Sequence, residues 1–345
     1  MTAPLLVPVL VLLLAVGGLM GFRDAPNAVA LAVRFRALTP RVALILSALL
    51  NAVGVLLGAL MLTLGLPLMV AGGTAHPEVL ALVGVAAAVT LGWGVLAWRF
   101  RAPTSTTHAL LASLAAAHVA SVSALGSGLD PAFENGARWE VAASLLLSPV
   151  LAWGLARLTA RPVLRLATTG TTVNVQHRAR IALAVSTGLI ALGHGVQAAL
   201  RLLPLAVLAA TAAVGTGLPP GTELSAAFVA AAAVLAAAVG IGTLGGAWGI
   251  AWTLTERLVI LDPLRAAVAA VVPAVLLFAG TMLLHLPLSS THTGVAGIVG
   301  AGQTQSYASV RWGAVARVAV WWVATPLVCG SLAFAAGAVL LPLLG

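Results

Sequence analysis

The chain is a succession of long apolar runs broken by short polar motifs. The first run covers residues 4–33 and is interrupted at Gly21-Phe22-Arg23-Asp24-Ala25-Pro26-Asn27. Others follow at 42–63, 79–98, 109–124, 139–156, 181–200, 202–218, 225–254, 266–286, 293–302 and 312–344. About 20 apolar residues suffice to carry a helix across a bilayer core of about 30 Å. The runs are continuous rather than alternating, so they predict helices and exclude a β-barrel. Two shorter runs, 109–124 and 293–302, each follow a polar tip with proline, Pro103–His108 and Pro287–His292. A short apolar arm on each side of such a tip predicts a re-entrant hairpin rather than a crossing.

The two tips share one pattern, Pro-x-Ser-[Thr/Ser]-Thr-His, at matched positions in the two halves. Arginines punctuate the runs: Arg34, Arg36 and Arg41 early, then Arg157, Arg161, Arg165, Arg178 and Arg180 between the halves. The positive-inside rule puts both groups in the cytoplasm although the chain begins on the other side, so each half makes an odd number of crossings and the halves are inverted. The predicted fold is an all-α polytopic transmembrane bundle of two inverted repeats, each with a re-entrant hairpin. The first repeat is 1–160, a cytoplasmic linker is 161–179, and the second repeat is 180–345. Inverted repeats with broken polar segments mark secondary transporters with a site at the membrane midplane.

Composition sharpens the class. The chain is 61% hydrophobic and 7% charged, whereas soluble domains carry about 25% charged residues. The net charge of +9 comes from 17 arginines, with no lysine, and their place between runs makes them topology determinants rather than a nucleic-acid surface. Residues 4–20 lead straight into the first motif without a cleavage site, so a multi-pass protein of the bacterial cytoplasmic membrane is expected. A single cysteine, Cys329, excludes an internal disulfide and a cysteine metal site. No phosphate-binding glycine loop is present, so ATP is not the expected energy source. No nucleophile–base pair or hydrolytic carboxylate pair appears, and an enzyme is not expected.

Asp24 places a carboxylate inside an apolar run, at a cost of several kcal/mol unless it is paired, hydrated or cation-bound. With Asn27 and Gln197 it forms the candidate cation or proton site, where hard oxygens suit Na⁺ and the carboxylate can take H⁺. The tips supply hydroxyls at helix starts, where free N–H groups and the positive dipole end favour anions. Ser105, Thr106, Thr107, Ser289, Ser290 and Thr291 are the candidate anion ligands. Two facing cradles suit a tetrahedral oxyanion, phosphate or sulfate. Phosphate donates a hydrogen bond near neutral pH and sulfate does not, so a buried acceptor favours phosphate. Asn51, His108, His194 and His292 are accessory candidates. The histidines are not joined by acidic ligands, so no metal site is expected beyond Na⁺ at Asp24 and Asn27, and no cofactor beyond a co-transported ion.

These motifs resemble those of the inorganic phosphate transporter (PiT) family. Gly21-Phe22-x-Asp24-x-x-Asn27-Ala28 resembles its first signature, Gly193-His194-Gly195-x-Gln197 its second, and Pro103–His108 and Pro287–His292 its hairpin tips. The resemblance spans nearly the whole chain. It implies a homodimeric transporter that imports phosphate with H⁺ or Na⁺ by alternating access. A sulfate or other oxyanion permease of the same fold is the first alternative. The second is a transport-inactive sensor or scaffold. Family members usually carry Asp just after the position of Gln197, where this chain has Ala198. They commonly carry Asn or His at the position of Arg23, and often an aromatic residue and Gly at those of Arg99 and Arg101. One negative ligand is gone and positive charge is added, with Arg101 expected to touch the anion and Arg23 and Arg99 to assist. A fixed guanidinium then takes over part of the charge compensation of a bound cation. The alternative is that these arginines snorkel to the membrane surface.

Overall fold

The computed structural model describes residues 3–64, 77–125, 138–214, 225–283, 288–307, 309–340 and 342. Their regular elements are helices: α1 (Ala3–Arg34), α2 (Pro40–Thr63), α3 (Pro77–Arg99), α4 (Thr106–Leu125), α5 (Arg138–Ala167), α6 (Thr172–Val214), α7 (Ala226–Gly245), α8 (Trp248–Trp252, running into a π-helical turn at Thr253–Arg257), α9 (Pro263–Met282), α10 (Ser290–Gly302) and α11 (Trp312–Leu340). No strand occurs among the described residues. Among the described residues eight helices, α1, α2, α3, α5, α6, α7, α9 and α11, are long and apolar enough to cross a membrane. The 13 residues of α10 span only about 20 Å and fall short of a crossing.

Several runs differ from the sequence expectation. The first run is one unbroken helix with Pro26 inside it. Proline has no N–H for the carbonyl four residues back, so Phe22 O is released, and Ala247 N–H fills it at 3.1 Å from the break between α7 and α8. Likewise 181–200 and 202–218 are not separate spans: α6 runs through both, with Arg201 buried inside it. Its N-terminal turns are polar and exposed. Residues 161–179 are helical except at 168–171, where α5 passes into α6.

Packing pairs the helices across the two halves. α1 lies on α7, and α2 on α6. The tip helix α4 leans on α11 and α3, while α10 leans on α5 and α9. Each tip helix thus rests against the last long helix of the other half. The α2–α6 crossing is backbone against backbone: a Cβ on Gly195 would lie 2.1 Å from Asn51 O, and one on Gly54 would lie 2.2 Å from Leu192 O. Small residues permit that approach, and it brings Asn51 against His194.

Buried apolar side chains form two large clusters. One gathers Met20, Leu110, Leu114 and Leu202. The other gathers Ala30, Leu254, Val268 and Ile298. Along α1, Arg23, Asp24 and Asn27 fall between them, and both hairpin tips meet α1 there.

Candidate functional site

Each tip begins with the same cap. Ser105 Oγ accepts from His108 N–H at 3.3 Å, and Ser289 Oγ accepts from His292 N–H at 3.2 Å. The recurring Ser-[Thr/Ser]-Thr-His is therefore an N-cap and first turn, and both starts lie buried within the bundle. Pro287 lies outside the described residues. His108 and His292 meet ring to ring at a centroid distance of 4.5 Å, and His292 continues onto Trp322 at 4.0 Å. Trp322 Nε1 donates to Pro103 O at 2.9 Å, which ties the second tip to the first.

α1 reaches both tips. Asn27 Nδ2 donates to Thr291 Oγ1 at 3.0 Å and to Ser290 Oγ at 3.4 Å. Thr291 Oγ1 in turn donates to Asp24 Oδ1 at 3.4 Å. That direction fixes the Asn27 amide and leaves its Oδ1 as a buried acceptor with no partner. One turn away, Arg23 Nη2 donates to Thr104 Oγ1 at 2.6 Å and Thr104 O at 3.2 Å, and Nη1 reaches Thr106 Oγ1 at 3.5 Å. A narrow cleft lined by Pro26, Asn27, Ser290 and Gly294 opens beside this meeting point.

A hydrogen-bonded chain runs from Asp24 into α2 and α7. His194 Nε2 is 3.1 Å from Asp24 Oδ2, and His194 Nδ1 is 3.1 Å from Asn51 Oδ1. Asn51 Nδ2 donates to Thr243 Oγ1 at 2.9 Å, which itself donates to Val239 O at 2.8 Å. Thr243 has spent its proton on Val239, so the Asn51 amide is oriented, and its oxygen must accept from His194 Nδ1–H. A neutral imidazole then turns a bare Nε2 lone pair toward the Asp24 carboxylate. Two acceptors at that separation repel, so the contact holds one proton between Asp24 and His194.

Gln197 faces another way. Its Nε2 donates to Thr281 Oγ1 at 2.8 Å on α9, and its Oε1 accepts from Arg201. The structure thus brings Asp24, Asn27, Asn51, His194, Ser290 and Thr291 into one network. Arg23 and Thr106 join beside it, and Ser105 and Ser289 serve it as caps. Thr107 is buried in the first turn of α4.

Arg99 and Arg101 are not brought in. Both are exposed. Arg101 has φ +55° and closes α3, with its N–H on Trp98 O and Ala102 N–H on Ala97 O, both at 2.9 Å. This is the left-handed closing position that glycine prefers. Its side chain packs over Gly249 and toward the Trp252 ring. Among the described residues the buried guanidinium groups are Arg23 and Arg201 instead. Sequence reasoning passed over Arg201, Thr104, Thr243 and Thr281. For Arg201 the signal was there: it is the only charged residue of 181–214 and lies two helical turns past His194, on the same face.

Comparison with known proteins decides the class. The model of the phosphate transporter family matches residues 20–333. The chain belongs to the phosphate transporter family. The transporter is 32% identical over 331 residues to a probable low-affinity inorganic phosphate transporter of Rhizobium meliloti (strain 1021), covering 93% of this chain and 92% of that one. It is 26% identical over 313 residues to a protein of the same description from Bacillus subtilis (strain 168), covering 88% of each. Its fold is similar to a solved structure described as the sodium-dependent phosphate transporter, with a TM-score of 0.75 at 16% identity over 98% of this chain and 99% of that one. It is a multi-pass membrane protein and a transporter rather than an enzyme.

Proposed function

We propose that the protein is a secondary transporter that imports inorganic phosphate by cation symport, with H⁺ or Na⁺, through alternating access. The observation that carries this reading is the convergence of both hairpin tips on one stretch of α1, the second on Asp24 and Asn27 and the first on Arg23, at a buried polar layer between two apolar clusters. Hydroxyls and helix N-termini receive the anion, and the Asp24–His194 pair receives the cation or proton.

Phosphate is favoured over sulfate by Asn27 Oδ1, a buried acceptor without a donor. A P–OH group satisfies it, and fully ionised sulfate leaves it unsatisfied, at about 1–3 kcal/mol. An inverted relation between the halves is supported by the exchanged packing of α4 on α11 and α10 on α5. The homodimer implied by the family resemblance is part of the same proposal.

The test is uptake of radiolabelled phosphate into proteoliposomes under imposed Na⁺ or pH gradients, with sulfate as competitor. Gradient-driven phosphate uptake that excess sulfate leaves intact is the expected result. Uptake of sulfate in preference to phosphate, or of neither anion, overturns the reading.

A further inference from the structure

The polar layer carries more fixed positive charge than negative. Arg23 is 2% exposed and Arg201 3% exposed, against Asp24 at 8% as the buried carboxylate among the described residues. Arg23 is held by hydroxyl and carbonyl oxygens of the first tip. Arg201 folds back along α6 to the neutral Gln197, and its Nε has no partner. Among the described residues neither guanidinium has a carboxylate within salt-bridge distance; the Asp24 oxygens face His194 and Thr291.

An uncompensated guanidinium inside an apolar bundle costs several kcal/mol. Such a charge persists where a counter-ion arrives as part of function. Arg201 shares a face of α6 with His194, which touches Asp24, and its partner Gln197 bonds Thr281, next to Gly280 where Leu288 of the second tip packs. It therefore lies beside the second tip, within electrostatic reach of Asp24, while Arg23 borders the first tip at Thr106. Ala198 stands one turn before Arg201, fully buried, and offers no charge of its own.

We propose that Arg201 is an anion-binding residue of the transport site, and that Arg23 and Arg201 together offset the charge of the bound phosphate, so that phosphate binds without a sodium ion beside it. The inference rests on the phosphate reading and deepens it. The charge tally agrees: the proton shared by Asp24 and His194 leaves that pair neutral, so the two guanidinium groups leave two positive charges, which a doubly charged phosphate neutralises while keeping its P–OH. Arg101 has no part in this, since it lies outside the layer.

The experiment is equilibrium binding of radiolabelled phosphate to the full chain in lipid nanodiscs, in sodium and in choline buffer at one pH. The unaltered protein is expected to bind equally, within about twofold, in the two buffers. Arg201→Gln is expected to weaken binding by about 30-fold or more, and Arg201→Lys to keep it within about tenfold, as for loss or retention of a charged hydrogen bond. Ala198→Asp sets a carboxylate one turn from Arg201, where it pairs with the guanidinium and occupies the place of the anion's charge. It is expected to weaken binding as much as Arg201→Gln, and it decides alone should the glutamine variant not be monodisperse. Binding within threefold of the unaltered protein in Ala198→Asp overturns the inference and leaves the phosphate reading standing, as does binding that rises tenfold with sodium. Absence of phosphate binding by the unaltered protein overturns the phosphate reading and the inference together.

Discussion

His194 Nε2 and Asp24 Oδ2 face each other at 3.1 Å, and the bond of His194 Nδ1 to Asn51 dictates that a proton lies between them. Asp24→Asn keeps a donor opposite His194, so the network and the fold survive while the ionisable group is lost. Uptake is expected to fall by about 100-fold, in line with the loss of a charged buried hydrogen bond at about 1.5–3 kcal/mol. The response to a pH gradient should vanish with it. Proteoliposome uptake under imposed gradients checks this, and survival of both properties would sink the assignment of Asp24.

Arg23 and Arg101 make a contrasting pair. Arg23→Gln loses the contacts to Thr104 and Thr106 that tie α1 to the first tip, and phosphate affinity is expected to drop by about tenfold or more. Arg101→Gly relieves a left-handed backbone at φ +55° and is expected to stabilise the protein by about 1 kcal/mol. Its effect on affinity should be smaller than that of Arg23→Gln. Binding isotherms and thermal unfolding of the purified variants provide the two readouts.

The close crossing of α2 and α6 sets a third expectation. A methyl on Gly195 would enter the van der Waals shell of Asn51 O, so Gly195→Ala must push the helices apart. A loss of about 1–3 kcal/mol is expected, as for overpacked cores. Because Asn51 orients His194, proton-coupled uptake should fall further than stability alone explains. Comparing uptake per folded molecule with the unfolding midpoint separates the two effects.

Asp262 caps α9, accepting from Leu264 N–H and Arg265 N–H at 3.0 Å each. Burial pushes its carboxyl up, but bonds from the Arg265 backbone, the Tyr307 hydroxyl and the Arg265 guanidinium outweigh that and hold it below the usual aspartate value. The cap therefore contributes in full above that usual value and is lost as pH falls through the lowered one. Asp262→Ala should cost about 1 kcal/mol at neutral pH. The gap in unfolding temperature between this variant and the unaltered protein should close in acid. A gap that persists there would contradict the assignment.

Much of the design is readable in one dimension because the bilayer demands it. Apolar runs announce the crossings, and the repeated Pro-x-Ser-[Thr/Ser]-Thr-His announces two capped helix starts. Asp24 declares itself by being an acid where acids are costly. The rest depends on partners far away in the chain. Pro26 reads as a break, yet α1 continues because Ala247 takes up the released carbonyl. Arg201 reads as a boundary between spans, since a lone charge in an apolar stretch usually marks water; its place two turns past His194 on one face argues the other way, and the packed bundle puts it in the interior. Arg101 sits beside the tip in sequence, but the turn that closes α3 aims it outward.

The exchange of tip helices between the halves has a consequence for the order of synthesis. When a ribosome has delivered residues up to the middle of α6, α4 has been made, but its support α11 has not. The first cradle cannot be held in position until the last long helix arrives, and the second tip, which completes the network on Asp24, is also made late. A nascent or truncated chain thus lacks the finished network. The polar layer around Asp24 closes only once nearly the whole chain has been made.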